Sequence, residues 1–538
     1  MPHRSPLFPL LVLLSCPALL QAAEAAPSAA PRHGLIWIDW VVVALYMAAT
    51  LWIGWRCSQG DRTTSSYFIG SGRMNPVLIG VSLFATLLST ITYMSLPGET
   101  LGKGPAFITN YLSYPFVFVV VAFGLLPLYM RHRVQSAYEL LEERLGLSVR
   151  LLGASLFLLL RLVWMSLMIY LTSNAIAIMA GLGEEWVPLI AAVSGLVTII
   201  YTSMGGLRAV VITDFMQTVL LYGGALLVIG TVTFKMGGFA WFPTEWRGNW
   251  DRQVVFSWDW SERVTVVGSI ISVFFWVVAT MGGDQVSVQR FMATENVRAA
   301  RRALAVQLGL SVIVGLTLAC VGFALLGYFE AFPERLGEGL DLKQNADKVF
   351  PHYIAFHLPP VVSGLVVSGL FAAAMSSLDS GVNSITAVVM RDFLDRFGYG
   401  AKSDAEHFRL ARWMAFGIGA VVVAGSTVMK HVPGNFTAVT GKTVNFFTVP
   451  IFCLFVFALV IRFASPIGVW IGTFCGVIAA GLIAFSGPLF VPGFDPKTMN
   501  DPVSFQWMQL AAFLATMIGG CLGSLIFPRR DAAKNLPP

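Results

Sequence analysis

Charge is scarce in this chain. Only 12% of its 538 residues are Asp, Glu, Lys or Arg, against 56% that are hydrophobic, and the mean hydropathy is +0.73. A soluble domain carries about 25% charged residues, so a water-facing globular fold is excluded. Cysteine is equally sparse. There are six, with no C-x-x-C pair, and Cys320, Cys453, Cys475 and Cys521 sit inside apolar stretches. They are expected to pack as small hydrophobes rather than form a disulfide framework or a thiolate metal site. The sequence has no H-E-x-x-H, no Gly-x-Ser-x-Gly and no complete Walker A pattern. No motif therefore supports metalloprotease, serine hydrolase or P-loop nucleotide chemistry, and no enzymatic activity is expected. No polar connection exceeds about 30 residues, which leaves no room for a fused soluble domain.

Long apolar runs are what the chain has instead. They recur at roughly 35–55, 76–100, 107–130, 149–181, 186–203, 209–236, 263–283, 304–329, 359–390, 409–429, 437–461, 466–486 and 506–527. A bilayer core about 30 Å thick needs ~20 helical residues, so each run is a candidate membrane span. Residues 1–26 read differently. Arg4 precedes the apolar run Leu7–Leu20, and Ala23-Glu24-Ala25 gives a small-x-small cleavage pattern, as in a removable signal peptide. The N-terminus is then outside, and an odd number of spans puts the C-terminus inside. Charge agrees. Arg131, Arg133, Arg144, Arg208, Arg298, Arg301, Arg302, Arg391 and Arg396 fall in alternate connections, while Trp241, Trp246, Trp250, Trp258 and Trp260 fall in the others. This is the positive-inside pattern of a multi-pass protein of the plasma or inner membrane. The net charge of +6 is thus no nucleic-acid footprint. Expected partners are a small-molecule substrate and the lipid bilayer. No nucleic acid and no obligate protein partner is indicated.

Function in a membrane bundle concentrates where helices break. Three stretches qualify: the Ser/Thr-rich Gly80–Thr92, running on to Pro97-Gly98; Ala279–Gln285, with Gly282-Gly283 before Asp284; and Ala372–Ser380. The first two open five-span groups, 76–236 and 263–461, flanked by an additional helix at 35–55 and two more at 466–527. Five is odd, so the groups insert with opposite orientation, the arithmetic of an inverted repeat.

Polar residues inside these spans are the candidate site. Ser376, Asp379 and Ser380 share a helix face at i, i+3 and i+4. With Ser377 they supply hard oxygen ligands, which suit a hard cation; the alternative is back-bonding to the preceding turn. Carbonyls near Ala85 and Leu88 could join them. Asp214 follows Gly205-Gly206, which read as a turn before a new helix. It is either a cation ligand or a first-turn acid favoured by the helix dipole. Asp284 and Gln285 follow the glycine break, and Asp284 either meets substrate or pairs with an arginine such as Arg290. Arg161, in mid-span, either grips a substrate carboxylate or bridges an internal acid such as Asp379 or Glu99. Ser89 and Thr92 complete the substrate-binding candidates. Gly468, Gly472 and Gly476 read as a packing stripe. Asn435-Phe436-Thr437 fits a glycosylation sequon.

Asp39-Trp40, Ser66-Tyr67-Phe68-Ile69-Gly70, Ser136-Ala137-Tyr138-Glu139, Gly205–Gln217, Asp284–Arg290 and Ala373–Ser384 occur in this order over about 37–530. Together they resemble the sodium:solute symporter family. The resemblance implies an all-α membrane fold, the five-plus-five inverted repeat of the amino-acid carrier LeuT, with broken first and sixth core helices. It implies Na+ bound by the backbone of Ala85, Leu88 and Ala373 and the hydroxyls of Ser376 and Ser377. A second cation site would fall on Asp214, Ser376, Asp379 and Ser380, where Asp379 departs from the hydroxyl often found. At Asp284 sugar carriers tend to have Asn, and Arg161 resembles a position used for carboxylate in sialic acid carriers. The expectation is sodium-coupled uptake of a sugar, sugar acid or other carboxylate by alternating access. The alternatives are proton coupling, or a non-transporting solute sensor on the same scaffold.

Overall fold

A computed structural model of the protein describes residues 34–57, 72–132, 136–248, 250–337, 339–400, 403–429, 436–494, 499 and 501–529. The signal-peptide segment 1–26, the Ser66–Gly70 motif and Asn435 of the sequon lie outside the described residues. Among the described residues the chain is helical, with no strand. Ten helices are long and apolar enough to cross a membrane, and an eleventh span results if the bent pair Pro76–Leu87 and Thr90–Lys103 counts as one. The fifth and eleventh expected segments are helical as well, within the helices Val187–Lys235 and Phe436–Leu459.

The elements in order are α1 (Trp37–Cys57), α2 (Pro76–Leu87), α3 (Thr90–Lys103), α4 (the irregular span Pro105–Arg131), α5 (Glu139–Leu145), α6 (Leu147–Met179), α7 (Val187–Lys235), α8 (Val266–Gly283), α9 (Gln285–Met292), α10 (Val297–Ala331), α11 (Val349–His357), α12 (Val362–Val388), α13 (Asp404–Ser426), α14 (Phe436–Leu459), α15 (Pro466–Ala484) and α16 (Met508–Ile526). Short polar side chains start many of them. Asn75, Ser89, Thr265, Asp284 and Asn296 each accept a first-turn amide, satisfying donors that the helix leaves orphaned.

α12 is the axis of the bundle. It runs on through a π-turn to Leu394, and 94% of its most apolar stretch is buried by protein. α7 packs along its length, and α10 packs on α2. Asp39 explains why α1 joins this core. Its buried carboxylate accepts Val361 N (2.9 Å), Gly364 N (3.1 Å) and Ser363 Oγ (2.8 Å), capping α12.

Three expectations about breaks need correction. Pro97-Gly98 does not end its helix but lies inside α3. A β-carbon on Gly98 would sit 2.7 Å from Asp347 Cα, so the glycine serves a close approach rather than a turn. The helical backbone is continuous through Gly205-Gly206, because glycine costs a helix only about 1 kcal/mol and does not by itself stop one. Ala372–Ser380 is also unbroken. Its hydroxyls bond to other helices, as detailed below, and leave its own backbone ladder intact. The stripe Gly468, Gly472 and Gly476 meets Ser524, Gly520 and Thr516 of α16, the packing role expected of it.

Candidate functional site

The break between α2 and α3 is built from two extended residues, Leu88 (φ −79°, ψ 97°) and Ser89 (φ −82°, ψ 160°), and it turns the axis by 69°. Carbonyls in the last turn of α2, Ala85 among them, lose their intrahelical amides, and Leu88 lies in the break itself. Ser89 Oγ caps α3 by accepting Thr92 N at 3.2 Å. Facing the break across α7 and α12 is a cavity of about 10 Å³, lined by Phe84, Ala85, Leu88, Gln217, Thr218, Leu221, Ala372, Ala373 and Ser376. That is room for one water-sized sphere.

Four of the five positions implied for sodium line this cavity, and the fifth, Ser377, is the next residue along. The Ser376 hydroxyl donates to Asp214, and Ser377 Oγ donates to Thr86 O at 3.2 Å. Both protons are committed elsewhere, so the oxygens keep lone pairs for a cation.

Below this level lies a buried charge cluster. Asp214 Oδ2 accepts Ser82 Oγ at 2.5 Å and Arg290 Nη2 at 3.4 Å. Arg290 is wholly enclosed. Its Nε donates to Ser82 Oγ (2.8 Å), its Nη1 to Val286 O (3.2 Å) and its Nη2 to Ser380 Oγ. Asp379 Oδ1 accepts Ser380 Oγ at 3.1 Å. Two of the positions expected to hold a second cation, Asp214 and Ser380, bond a guanidinium instead. Asp214 is no first-turn acid, since it lies well inside α7.

The α8–α9 break falls at Asp284 (φ −93°, ψ 123°), where the glycine pair and charge predict it. Asp284 Oδ1 caps α9 by accepting Val286 N at 2.9 Å, and Oδ2 is ion-paired with Arg161. Arg161 is thus matched with Asp284, not with Asp379 or Glu99, and Arg290 with Asp214, not with Asp284. Gln285 Oε1 accepts Ala137 N at 2.7 Å. The carbonyls of Gly282 and Gly283 receive the hydroxyls of Tyr129 and Tyr138. Ser136 Oγ (2.5 Å) and Arg150 Nε (2.7 Å) hold Asp392 at the end of the α12 span.

The substrate-binding candidates do not converge. Thr172 of α6 donates to Thr90 at 3.0 Å, at the level of Ser89 and Thr92. Arg161 lies eleven residues earlier on α6, about 16 Å nearer the arginine-rich end. Sequence reasoning named Arg290 only as an alternative partner of Asp284 and did not single out Ser82; the structure gives Arg290 to Asp214 and Ser82 instead. A guanidinium one turn past a helix break needs an acid, but which acid is set by tertiary packing.

A broken-helix bundle with an ion-sized cavity at the break defines a membrane carrier of the LeuT-like fold. The chain matches the profile of the Sodium:solute symporter family over residues 67–476. It is 29% identical to the sodium/sialic acid symporter SiaT of Proteus mirabilis over 406 residues, covering 73% of this chain and 77% of that one. It is 25% identical to the human sodium-coupled monocarboxylate transporter 1 over 468 residues, 85% of this chain and 75% of that one. The solved structure of a Na+-coupled sialic acid symporter in a substrate-bound outward-open state superposes with a TM-score of 0.77 at 25% identity, over 92% of this chain and 99% of that one. The chain belongs to the sodium:solute symporter family. It is a multi-pass membrane carrier that couples solute uptake to Na+.

Proposed function

We propose that the chain takes up a small carboxylate-bearing solute, with a sugar acid of the sialic acid type the first candidate, together with one sodium ion. The ion-sized cavity between the α2–α3 break and α12 carries this reading. Sodium there is held by the backbone of Ala85, Leu88 and Ala373 and by Ser376 and Ser377. It ties a broken helix of the first repeat (76–236) to the central helix of the second (263–461). Charge supports one ion rather than two. Around the α8–α9 break and the cluster beside it, the carboxylates of Asp214, Asp284 and Asp379 stand with the guanidiniums of Arg161 and Arg290, one negative charge in excess. The other buried acids are held elsewhere, Asp392 by Arg150 and Asp39 by the start of α12. Arg290 takes the place of a second ion.

The arginine-rich end faces the cytoplasm, as positive charge dictates. Substrate enters at the level of Ser89 and Thr92. The Arg161–Asp284 pair, the tyrosines on Gly282 and Gly283, and Asp392 close the cytoplasmic side and separate when the bundle rocks inward. The carboxylate preference is supported by the sialic acid and monocarboxylate carriers among the relatives. Uptake of labelled sialic acid and lactate into proteoliposomes tests the reading. Uptake should require an inward sodium gradient. Uptake that persists with potassium in place of sodium and collapses with the pH gradient would establish proton coupling instead. Binding of a solute without any uptake would establish a sensor.

A further inference from the structure

Gln217 is not among the sodium ligands implied by the family resemblance, yet it lines the ion-sized cavity. It lies on α7, three residues after Asp214, and is 1% exposed. Its two amide atoms have different fates. Nε2 donates to the Tyr46 hydroxyl at 3.2 Å. Oε1 is buried and has no hydrogen-bond partner among the described residues. The orientation of the amide is set from outside the repeats. Tyr46 belongs to α1 and spends its single proton on Met375 Sδ, at 3.7 Å. With that proton on sulfur the oxygen accepts from the Gln217 nitrogen, and the amide oxygen faces away from Tyr46. Buried polar atoms almost always find a partner. A buried carbonyl oxygen without one, on a residue that lines an ion-sized cavity, is a candidate cation ligand. Amide oxygen is a hard donor, suited to an alkali cation.

We infer that Gln217 Oε1 is a further ligand of the bound sodium ion, and that Tyr46 of the additional helix α1 positions it. The inference rests on the sodium-site reading above. It adds a sixth oxygen to the three carbonyls and two hydroxyls, and it gives α1 a part in ion binding.

The test is sodium-dependent thermal stabilisation of the purified full chain, comparing wild type with Gln217→Leu, Tyr46→Phe, their double variant and Ser377→Ala. Loss of one neutral oxygen ligand in a buried site should raise half-saturating sodium by about tenfold in Gln217→Leu. Tyr46→Phe should raise it less, and its effect should vanish in the Gln217→Leu background, because a positioning residue has nothing left to position. If Ser377→Ala weakens sodium binding and Gln217→Leu does not, the inference is overturned while the site stands. If neither weakens it, the site itself is misplaced. A purely structural Tyr46 would give additive effects in the double variant, and that overturns its positioning role. Should Gln217→Leu fail to fold, Gln217→Glu keeps the shape and adds a carboxylate. Sodium affinity should then strengthen as pH rises, and a pH-independent, wild-type affinity would sink the inference.

Discussion

Arg290 is a guanidinium wholly enclosed in the interior. Its guanidinium donates to Ser82, Val286, Ser380 and Asp214 at zero exposure. Removing one partner of a buried pair leaves an uncompensated charge, at a cost of about 3–5 kcal/mol. Arg290→Gln should therefore fold poorly, visible as a large drop in melting temperature. Adding Asp214→Asn should recover part of it by removing the carboxylate that Arg290 pairs with. Absence of any recovery would mean that the loss does not come from an unbalanced Asp214. Which residues carry charge inside the membrane was legible from the sequence; their pairing was not. Asp284 and Arg290 are six residues apart, which made a local pair plausible. The helix is interrupted at Asp284, and Asp284 meets Arg161 from α6 while Arg290 meets Asp214 from α7. Such partners are set by tertiary contact, which no local spacing encodes.

Helices were more legible than sites, for a physical reason. Twenty apolar residues flanked by polar ones have one solution in lipid. Breaks were legible only in part. The break at Asp284 was, because two glycines and a charge weaken the helix in sequence. The break at Leu88-Ser89 has no proline or glycine of its own, and only the Ser/Thr-rich run Gly80–Thr92 pointed to it. Pro97-Gly98 pointed wrongly, since its glycine answers the close approach of Asp347. α11 shows an element that hydropathy passes over. This short helix ends at His357, whose ring takes Arg335 O at 2.9 Å and whose own carbonyl receives Lys235 Nζ at 2.5 Å. Burial first, then the neighbouring His352 and Lys235, hold its imidazole down at about 4, against an ordinary 6.5, with the Arg335 carbonyl acting the other way. Below 6.5 the unfolded chain takes up a proton that the folded chain refuses. Stability is thus complete above pH 6.5 and declines as pH falls toward 4. Melting curves between pH 7 and 4.5 should show that decline, and His357→Gln should flatten it. An equally steep decline in the variant would assign the effect to other groups.

At the scale of the whole molecule, the bundle is a device for moving a fixed amount of charge. If Arg290 occupies the place of a second ion, each cycle carries one sodium. A monocarboxylate travelling with it makes the cycle electroneutral, whereas a neutral sugar would leave one net charge crossing the field. One charge over 100 mV is worth about 2.3 kcal/mol, or roughly fiftyfold in accumulation ratio. Proteoliposomes with a fixed sodium gradient and a potassium–valinomycin potential separate the cases. Steady accumulation of a transported monocarboxylate should change by less than about twofold when 100 mV, inside negative, is imposed. A rise approaching fiftyfold would show that a second cation moves with it. The guanidinium of Arg290 would then have to leave Asp214 and Ser380 during the cycle, and its pairing in this structure would be one state of a switch rather than a permanent substitute for an ion.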